Sequence, residues 1–265
     1  MHALVKSTER LTPSLVRVVL GGAGLRDFAM PATTDTYVNL AFPAPGAPYA
    51  APFDPAEIRD THPRELWPAR RRYTVRSWDP SALELTLDFV VHGGVGVAGA
   101  WAESALPGDV LVLEGPSGGY RPDPEADWHL LVGDESALPA IAASLEAVPT
   151  GTRAVARLVC DGPDHEVELP CPGRLDLQWL HRTGQDDGEL LLSALRDLRF
   201  PSGSVHAFVH GEADEIRGIR RHLLTERGLT RQQMSCSPYW RRDMTDEAWR
   251  EIKRDFVATM DADVA

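Results

Sequence analysis

Residues 128–141 read WHLLVGDESALPAI and decide the fold class of the second half of the chain. The apolar run at 128–132 is typical of a short buried strand, the residues GDE predict a turn, and 137–147 predict a helix. The alternation continues downstream, with strand signals at 153–160 and 205–209 and helix signals at 188–198 and 216–227. Such alternation predicts a parallel sheet with crossover helices. A last amphipathic helix, with Thr245 as its N-cap, is predicted at 245–260.

The first half of the chain, up to Asp123, has the signals of short strands. Leucines at 83, 85 and 87 and a phenylalanine at 89 recur with the period of two that marks a half-buried strand. Further strand signals lie at 15–20, 37–42, 71–79 and 110–113, with one short helix at 98–106. This pattern predicts a closed or nearly closed antiparallel barrel. Residues 43–68 are rich in proline and alanine and predict a long irregular loop.

Composition excludes several classes of function. The 265 residues carry a formal net charge of -12. An acidic chain gains no binding free energy from the release of phosphate counterions, so nucleic acid is not expected as a partner. No run of about eighteen apolar residues is present, so no membrane span is expected. The three cysteines form no CxxC pair, so no metal site is predicted. The odd cysteine count and the lack of a signal-peptide core predict a cytoplasmic protein, and we expect a monomer.

The strand at 71–76, RRYTVR, is the first candidate binding element. In an extended strand Arg71 and Tyr73 point to one face, while Thr74 and Arg76 point to the other. An aromatic ring, a hydroxyl and a guanidinium within four residues suit a flavin and its pyrophosphate. The alternative interpretation is a solvated basic strand with Tyr73 in the core.

Other candidate elements join a strand to a helix or carry aromatic and basic residues. In DFVVHGGVGVAGAW, residues 88–101, glycines would let a phosphate approach the amides at a helix N-terminus. GDESA at 133–137 and HGEA at 210–213 also follow strands, where α/β sheets bind ligands. The segment SPYWRR at 237–242 could cover a planar cofactor and attract an anion, or be a surface loop. The fingerprint GxGxxG is missing, so an ordinary Rossmann dinucleotide domain is not predicted.

The order of these motifs resembles that of the siderophore-interacting proteins, which are cytoplasmic ferric-siderophore reductases of the flavin-containing ferredoxin-reductase superfamily. RRYTVR, DFVVHG, GDESALPAI and YWRR carry the resemblance, which extends from about Val5 to Arg242. It implies an N-terminal antiparallel six-stranded barrel at 1–123 that binds FAD. It also implies a C-terminal α/β domain at 124–265 that receives NAD(P)H.

The resemblance further implies a set of site residues. Those that would hold the flavin and its phosphates are Arg71, Tyr73 and Thr74, with Asp88, Val90 and His92 on the adenine or ribitol side. The pyrophosphate would meet Gly96, Val97 and Ala98, and the nicotinamide side would be formed by Asp134, Glu135, Ser136 and Ala137. The basic residues that would draw in the ferric chelate are Arg76, Arg241 and Arg242.

The implied activity is the FAD-dependent reduction of a ferric siderophore to release Fe(II), with NAD(P)H or another reductant as electron donor. Outer-sphere electron transfer needs no protein acid or base, so no catalytic residue is assigned. Two departures stand out, since the family's G-P-A-S is GVAG at 96–99, and its GYWR is PYWR at 238–241, with Pro238 in place of the glycine. They predict weaker FAD binding or an altered substrate. Two alternatives therefore stay open: an organic substrate in a biosynthetic pathway, and a siderophore-binding protein without turnover.

Overall fold

The computed structural model describes residues 1–93, 96–184 and 187–264, and the chain divides into two compact units, Met1–Gly119 and Tyr120–Ala265. Gly94 and Val95, which belong to the glycine-rich segment singled out above, lie outside the described residues. The functional division after Asp123, with FAD on one part and NAD(P)H on the other, stays a prediction. No described helix is both long enough and apolar enough to cross a membrane.

The first unit is a closed barrel of six antiparallel strands, as the resemblance implied. The strands are β1 (His2–Thr12), β2 (Leu15–Gly21), β3 (Tyr37–Phe42), β4 (Ala69–Asp79), β5 (Glu84–Val90) and β6 (Val110–Ser117). They close in the order β1-β2-β5-β4-β3-β6, and β1 pairs with β6 through Leu4 and Val110. The period-two pattern at 83–89 is confirmed, because Leu85, Leu87 and Phe89 are fully buried in the barrel core.

Two features of the first unit were not predicted from sequence. β1 escaped notice because its middle, residues 6–10, is polar and exposed on the barrel surface. The prediction of one irregular loop at 43–68 was wrong, since it contains helix α1 (Pro55–Thr61). Proline at the first helical position is compatible with a helix, and the Asp54 carboxylate caps it by accepting from the Ala56 amide at 2.7 Å. The helix predicted at 98–106 is α2 (Val97–Ser104).

The second unit is a five-stranded parallel sheet with helices, which confirms the predicted α/β class. Its strands are β7 (Trp128–Gly133), β8 (Arg153–Cys160), β9 (Arg174–His181), β10 (Val205–Glu212) and β11 (Met234–Trp240). Its helices are α3 (Leu138–Glu146), α4 (Leu190–Asp197), α5 (Ala213–Thr225) and α6 (Asp246–Ala262). Thr245 caps α6 as predicted, since its hydroxyl accepts from the Ala248 amide at 3.2 Å.

Residues 237–240 of the segment at 237–242 form the end of β11, and Arg241 and Arg242 follow the strand. β11 lies at one edge of the sheet. Proline has no backbone N–H group to donate, and an edge strand tolerates Pro238 because one of its sides pairs with no other strand. The strand order is β11-β10-β7-β8-β9, so the chain moves from one side of β7 to the other between β9 and β10. In sheets of this kind ligands bind outside the carboxyl ends of the strands, near this switch point. The carboxyl edge of the second unit is therefore its candidate ligand-binding edge.

Candidate functional site

In the first unit, β4 presents the residues expected to hold a flavin. The Tyr73 ring is half-buried and packs on Phe89 with ring centroids 4.2 Å apart. Arg71 is half-buried, and its Nη1 donates to the Arg70 carbonyl at 3.0 Å. Thr74 is buried. The register of β4 against β5 shifts between Val75 and Ser77, so the expected alternation of faces ends before Arg76, which lies at the shift.

The amino end of α2 has the features of a phosphate-binding turn. Gly96 precedes the helix with φ 83° and ψ 156°, and no described side chain caps the first turn. The amide groups of that turn therefore remain available to an anion. Val97 is 40% exposed, whereas Ala98 is buried. These residues fit the pyrophosphate of FAD through backbone donors, because an uncapped N-terminus is the donor set that a phosphate needs.

Gly99 explains one departure from the family pattern. A Cβ atom built at Gly99 would lie 3.1 Å from the Val90 carbonyl oxygen, which is closer than side chains normally approach. The glycine therefore lets α2 pack tightly against the end of β5. A serine at this position would crowd the Val90 carbonyl oxygen, so its replacement by Gly99 affects the packing of this helix as well as phosphate binding.

Asp88 is engaged within the barrel wall. It lies opposite Arg17 on β2, and the two side chains form a bidentate ion pair of 2.7 and 2.8 Å. The carboxylate is buried, so the pair holds β2 and β5 together. Val90 is half-buried and His92 exposed at the end of the same strand. Contact of these three residues with adenine or ribitol stays a prediction.

In the second unit, Asp134 joins the carboxyl ends of three strands. Its Oδ1 accepts from the amide and hydroxyl of Ser136 at 2.9 and 2.5 Å. Its Oδ2 accepts from the Glu212 amide at 2.9 Å and from Trp240 Nε1 at 2.7 Å. The carboxylate is only 3% exposed, so these donors satisfy it inside the protein. Asp134 thus fixes the ends of β7, β10 and β11 relative to one another.

Gly211 and Glu212 complete this junction. Gly211 has φ 151°, and a Cβ atom there would lie 2.7 Å from Asp134 Oδ2, so the motif HGEA needs a glycine at this position. The Glu212 carboxylate caps α5 by accepting from the amides of Asp214 and Glu215 at 2.8 and 3.0 Å. Its other oxygen accepts from the Arg242 amide at 3.1 Å. Glu212 therefore holds the chain that leaves β11.

Glu135 belongs to a second cluster, which sequence analysis did not predict. It forms a bidentate pair of 2.7 and 2.8 Å with Arg182, which also donates to Asp161 at 2.8 Å. Arg182 follows β9 and Asp161 follows β8, so the three residues, here called the Arg182 cluster, span three strand ends. The sequence signal for this cluster was a charged residue within two positions of the end of each strand. Of the other predicted residues, Ala137 is fully buried.

The basic residues after β11 differ in their surroundings. Arg241 pairs with Asp214 at 3.4 Å, and its guanidinium lies over the Phe256 ring at 5.1 Å from the centroid. Arg242 has an exposed side chain at the same edge. The indole nitrogen of Trp240 is held by Asp134, while the residue as a whole is 36% exposed to solvent. A substrate role for Arg241 and Arg242, together with Arg76 of the first unit, stays a prediction.

Glu215, on the first turn of α5, is a buried carboxyl group at this edge. It is 7% exposed and accepts from the Leu191 amide at 3.0 Å. Burial raises its pKa from 4.5 to about 7, and the negative charges of Asp134 and Glu212 act in the same direction. A folded-state pKa above the unfolded value means that the native protein holds this proton to higher pH. The stability that the protonated carboxyl contributes is complete below pH 4.5 and is lost as the pH rises through 7.

We expect Glu215→Gln to stabilise the protein at pH 8 but not at pH 4.5. At about 1.4 kcal/mol per pKa unit, the gain at pH 8 is on the order of 3 kcal/mol. Glutamine keeps the oxygen that accepts from Leu191. Urea unfolding of both proteins at the two pH values measures the difference. An equal difference at both values would show that folding does not raise the pKa of Glu215.

Comparison with known proteins places the chain in a family. A model of the Siderophore-interacting FAD-binding domain matches residues 4–120, and a model of the Siderophore-interacting protein matches residues 126–243. The ferric vibriobactin reductase ViuB of Vibrio cholerae is 33% identical over 91% of this chain and 89% of that protein. The chain belongs to the siderophore-interacting protein family. The resemblance inferred from its motifs is thereby confirmed.

Further relatives and structures of similar fold agree. The NADPH-dependent ferric-chelate reductase of Escherichia coli is 29% identical over 90% of this chain and 91% of that protein. The structure of a siderophore utilization protein from T. fusca is 36% identical, with a TM-score of 0.78 over 93% of this chain and 94% of that one. A ferredoxin NADP+ reductase from Neisseria gonorrhoeae, 14% identical, shares the fold with a TM-score of 0.57 over 91% of this chain and 98% of that one.

Proposed function

We propose that this chain is a flavin-dependent reductase that releases iron from a ferric siderophore as Fe(II). The observation that carries the proposal is the amino end of α2, which joins a barrel matched by the FAD-binding family model and offers uncapped amides after Gly96. The activities named for ViuB and for the Escherichia coli relative support it. When bound, FAD would supply the redox chemistry by accepting electrons in pairs and delivering them singly.

The residues of the first unit would bind and orient the flavin. The amides of Val97 and Ala98 would hold the pyrophosphate, and the Arg71 guanidinium would neutralise part of its charge. Tyr73, fixed by its packing on Phe89, would cover part of the isoalloxazine ring. Since no proton has to be moved by the protein during electron transfer to iron, positioning is the whole task of these side chains.

The second unit would receive the electron donor, which is NAD(P)H or another reductant. One NAD(P)H gives up two electrons, and each Fe(III) takes one, so a nicotinamide donor would serve two ferric complexes. Fe(II) binds hard oxygen donors more weakly than Fe(III), so the reduced iron leaves the siderophore. Arg241 and Arg242, with Arg76, would attract a ferric chelate of net negative charge against the acidic field of the chain.

The test begins with the absorbance spectrum of the purified protein before and after addition of FAD. We expect flavin bands that stay with the protein through desalting. The loaded protein should then produce Fe(II), trapped with a ferrous chelator, from ferric siderophores when a donor is present. A protein that takes up no FAD would overturn the proposal. Siderophore binding without any Fe(II), with every donor tried, would instead establish the non-catalytic binding protein.

A further inference from the structure

The second unit contains a cavity on the side of its sheet that α4 covers. Along β8, Val155 and Val159 belong to the apolar core under α4, and Arg157 lies between them on the same face of the strand. Beside Arg157 lies a cavity of about 330 Å³, bounded by β8, β9 and the end of α4. It extends from Arg153, the first residue of β8, to Arg157 in the middle of that strand. The cavity therefore lies away from the carboxyl edge to which the proposed function assigns the electron donor.

Arg157 is a buried cation beside this cavity. It is only 6% exposed, and its Nη1 donates to Asp176 Oδ1 at 3.1 Å. The same Nη1 donates to the carbonyl oxygens of Asp176 and Ala156 at 3.0 and 2.9 Å. The Asp176 carboxylate is shared, because its Oδ2 accepts from Arg153 at 3.3 Å. Two guanidinium groups therefore lean on one carboxylate, although one of them is buried, where an incompletely paired charge is costly.

The other edge of the Arg157 guanidinium is not satisfied by the protein. Its Nε is shielded from water and has no hydrogen-bond partner within residues 1–93, 96–184 and 187–264. Buried polar groups nearly always have a partner, and an orphaned one points to a missing water or ion. Nε and Nη2 form the edge of a guanidinium that binds a carboxylate through two parallel hydrogen bonds. An anion in the cavity would supply acceptors for this edge.

The charges around the cavity indicate which anion fits. The arginines that line it are Arg153, Arg157 and Arg199, and the carboxylates that line it are Asp176 and Asp197. Their formal charges leave a surplus of one positive charge, in a chain whose net charge is -12. A single carboxylate balances that surplus. A phosphate dianion would exceed it and would be repelled by the two aspartates.

The remaining walls indicate what the anion carries. Clefts that bind small molecules begin at about 300 Å³, so the cavity has room for a carbon skeleton as well as a carboxylate. Ala194 and Leu198, four residues apart at the end of α4, provide an apolar wall for that skeleton. The Asp197 carboxylate beside them is exposed and can accept a hydrogen bond from a hydroxyl group.

We propose that this cavity is a binding site for a small hydroxy acid with one carboxylate group. The ligand carboxylate would bind the free edge of Arg157, with Arg199 adding charge at the mouth of the cavity, and the hydroxyl would donate to Asp197. The inference goes beyond the proposed function, because the site needs neither a flavin nor an electron donor.

The experiment measures binding to the full chain by NMR of its backbone amides. Lactate, propionate and inorganic phosphate are titrated separately, with sodium chloride at matched ionic strength as the control for screening. We expect lactate to shift the amides of 153–157, 176–178 and 194–199 in a saturable way. Propionate has the same carbon skeleton without the hydroxyl and should bind about threefold to tenfold more weakly. Phosphate should also bind more weakly than lactate.

A pair of exposed arginines at the end of α4 tests the position of the site. Arg199→Gln should weaken lactate binding about fivefold, because it removes a charge that lines the cavity. Arg196→Gln removes the same charge from the same helix, where Arg196 lies 3.9 Å from Glu189, and should change the affinity less than about twofold. Arg157→Lys keeps the buried charge but loses the two-pronged edge, so we expect a loss of at least about tenfold. Since Arg196 and Arg199 are both exposed, this pair decides the matter even if Arg157→Lys does not fold.

Three results would overturn the inference. The first is a set of lactate shifts no larger than those caused by sodium chloride, and the second is an equal loss of affinity in Arg199→Gln and Arg196→Gln. The third is binding of propionate or phosphate as tight as that of lactate, which would contradict the hydroxy acid. Since the titrations contain no FAD and no donor, a failure of the proposed reductase activity leaves this site standing, and a failure of the site leaves the reductase standing.

Discussion

Gly133→Ala is expected to lower the free energy of unfolding of the second unit by about 3 kcal/mol. A Cβ atom at Gly133 would lie 2.5 Å from the His210 carbonyl oxygen and 2.8 Å from the Ala137 Cβ. One neighbour is a backbone atom and the other a Cβ atom, so neither can move away by rotation of a side chain. β7 and β10 would have to separate at their carboxyl ends, where Asp134 joins them. Urea unfolding monitored by hydrogen exchange of the β7 and β10 amides measures the loss.

Gly162→Ala is the matched control for this change. Gly162 lies in the same unit, has an extended φ of 167°, and has no atom within 4 Å of its built Cβ position. We therefore expect no loss of stability from the control. If both alanines had the same small effect, the close approach of the two strands would not be what requires glycine at position 133.

Arg71→Ala is expected to weaken FAD binding by about 10- to 100-fold, the loss typical of a charge-assisted hydrogen bond to phosphate. The reason is the proposed contact between the guanidinium and the pyrophosphate. Quenching of flavin fluorescence on titration with the flavin-free protein gives the dissociation constant. Since Arg71 is only half-buried on the barrel surface, we expect the variant to fold.

Arg72→Ala tests whether the effect depends on position and not on charge alone. Arg72 is exposed, and its guanidinium lies over the Tyr37 ring at 5.3 Å from the centroid. The Arg72→Ala substitution removes the same charge one residue further along β4. We therefore expect the affinity for FAD to change by less than about threefold. Equal losses in the two variants would show that Arg71 acts through the general field of the barrel surface.

The sequence predicted those strands whose residues alternate or are wholly apolar. β5 was recognised because Leu85, Leu87 and Phe89 face one core, and β7 because all of its residues are buried. β9 carries an alternation too, in Leu175, Leu177 and Trp179, but this strand was missed, and Pro238 obscured β11. Helices were recognised by periodicity, whereas α1 is too short to show any.

The candidate site was predictable only where its members are neighbours in sequence. Asp134 and Ser136 are two residues apart and formed part of one motif. The contact between Asp134 and Trp240 spans 106 residues, and the pair Glu135–Arg182 spans 47. Such pairs arise from the strand order, which places distant strand ends side by side. No local pattern of charge contains that information.

The junction at Asp134 bears on the order in which the chain can be completed as it leaves the ribosome. β7 and β10 can pair, and Glu212 can cap α5, before β11 has been synthesised. Until the indole of Trp240 arrives, Asp134 Oδ2 has only the Glu212 amide among the donors found in the folded protein. Domains generally fold as units during synthesis. In the nascent second unit, water would therefore supply the partner of Asp134 Oδ2 that the indole of Trp240 replaces when the last strand docks.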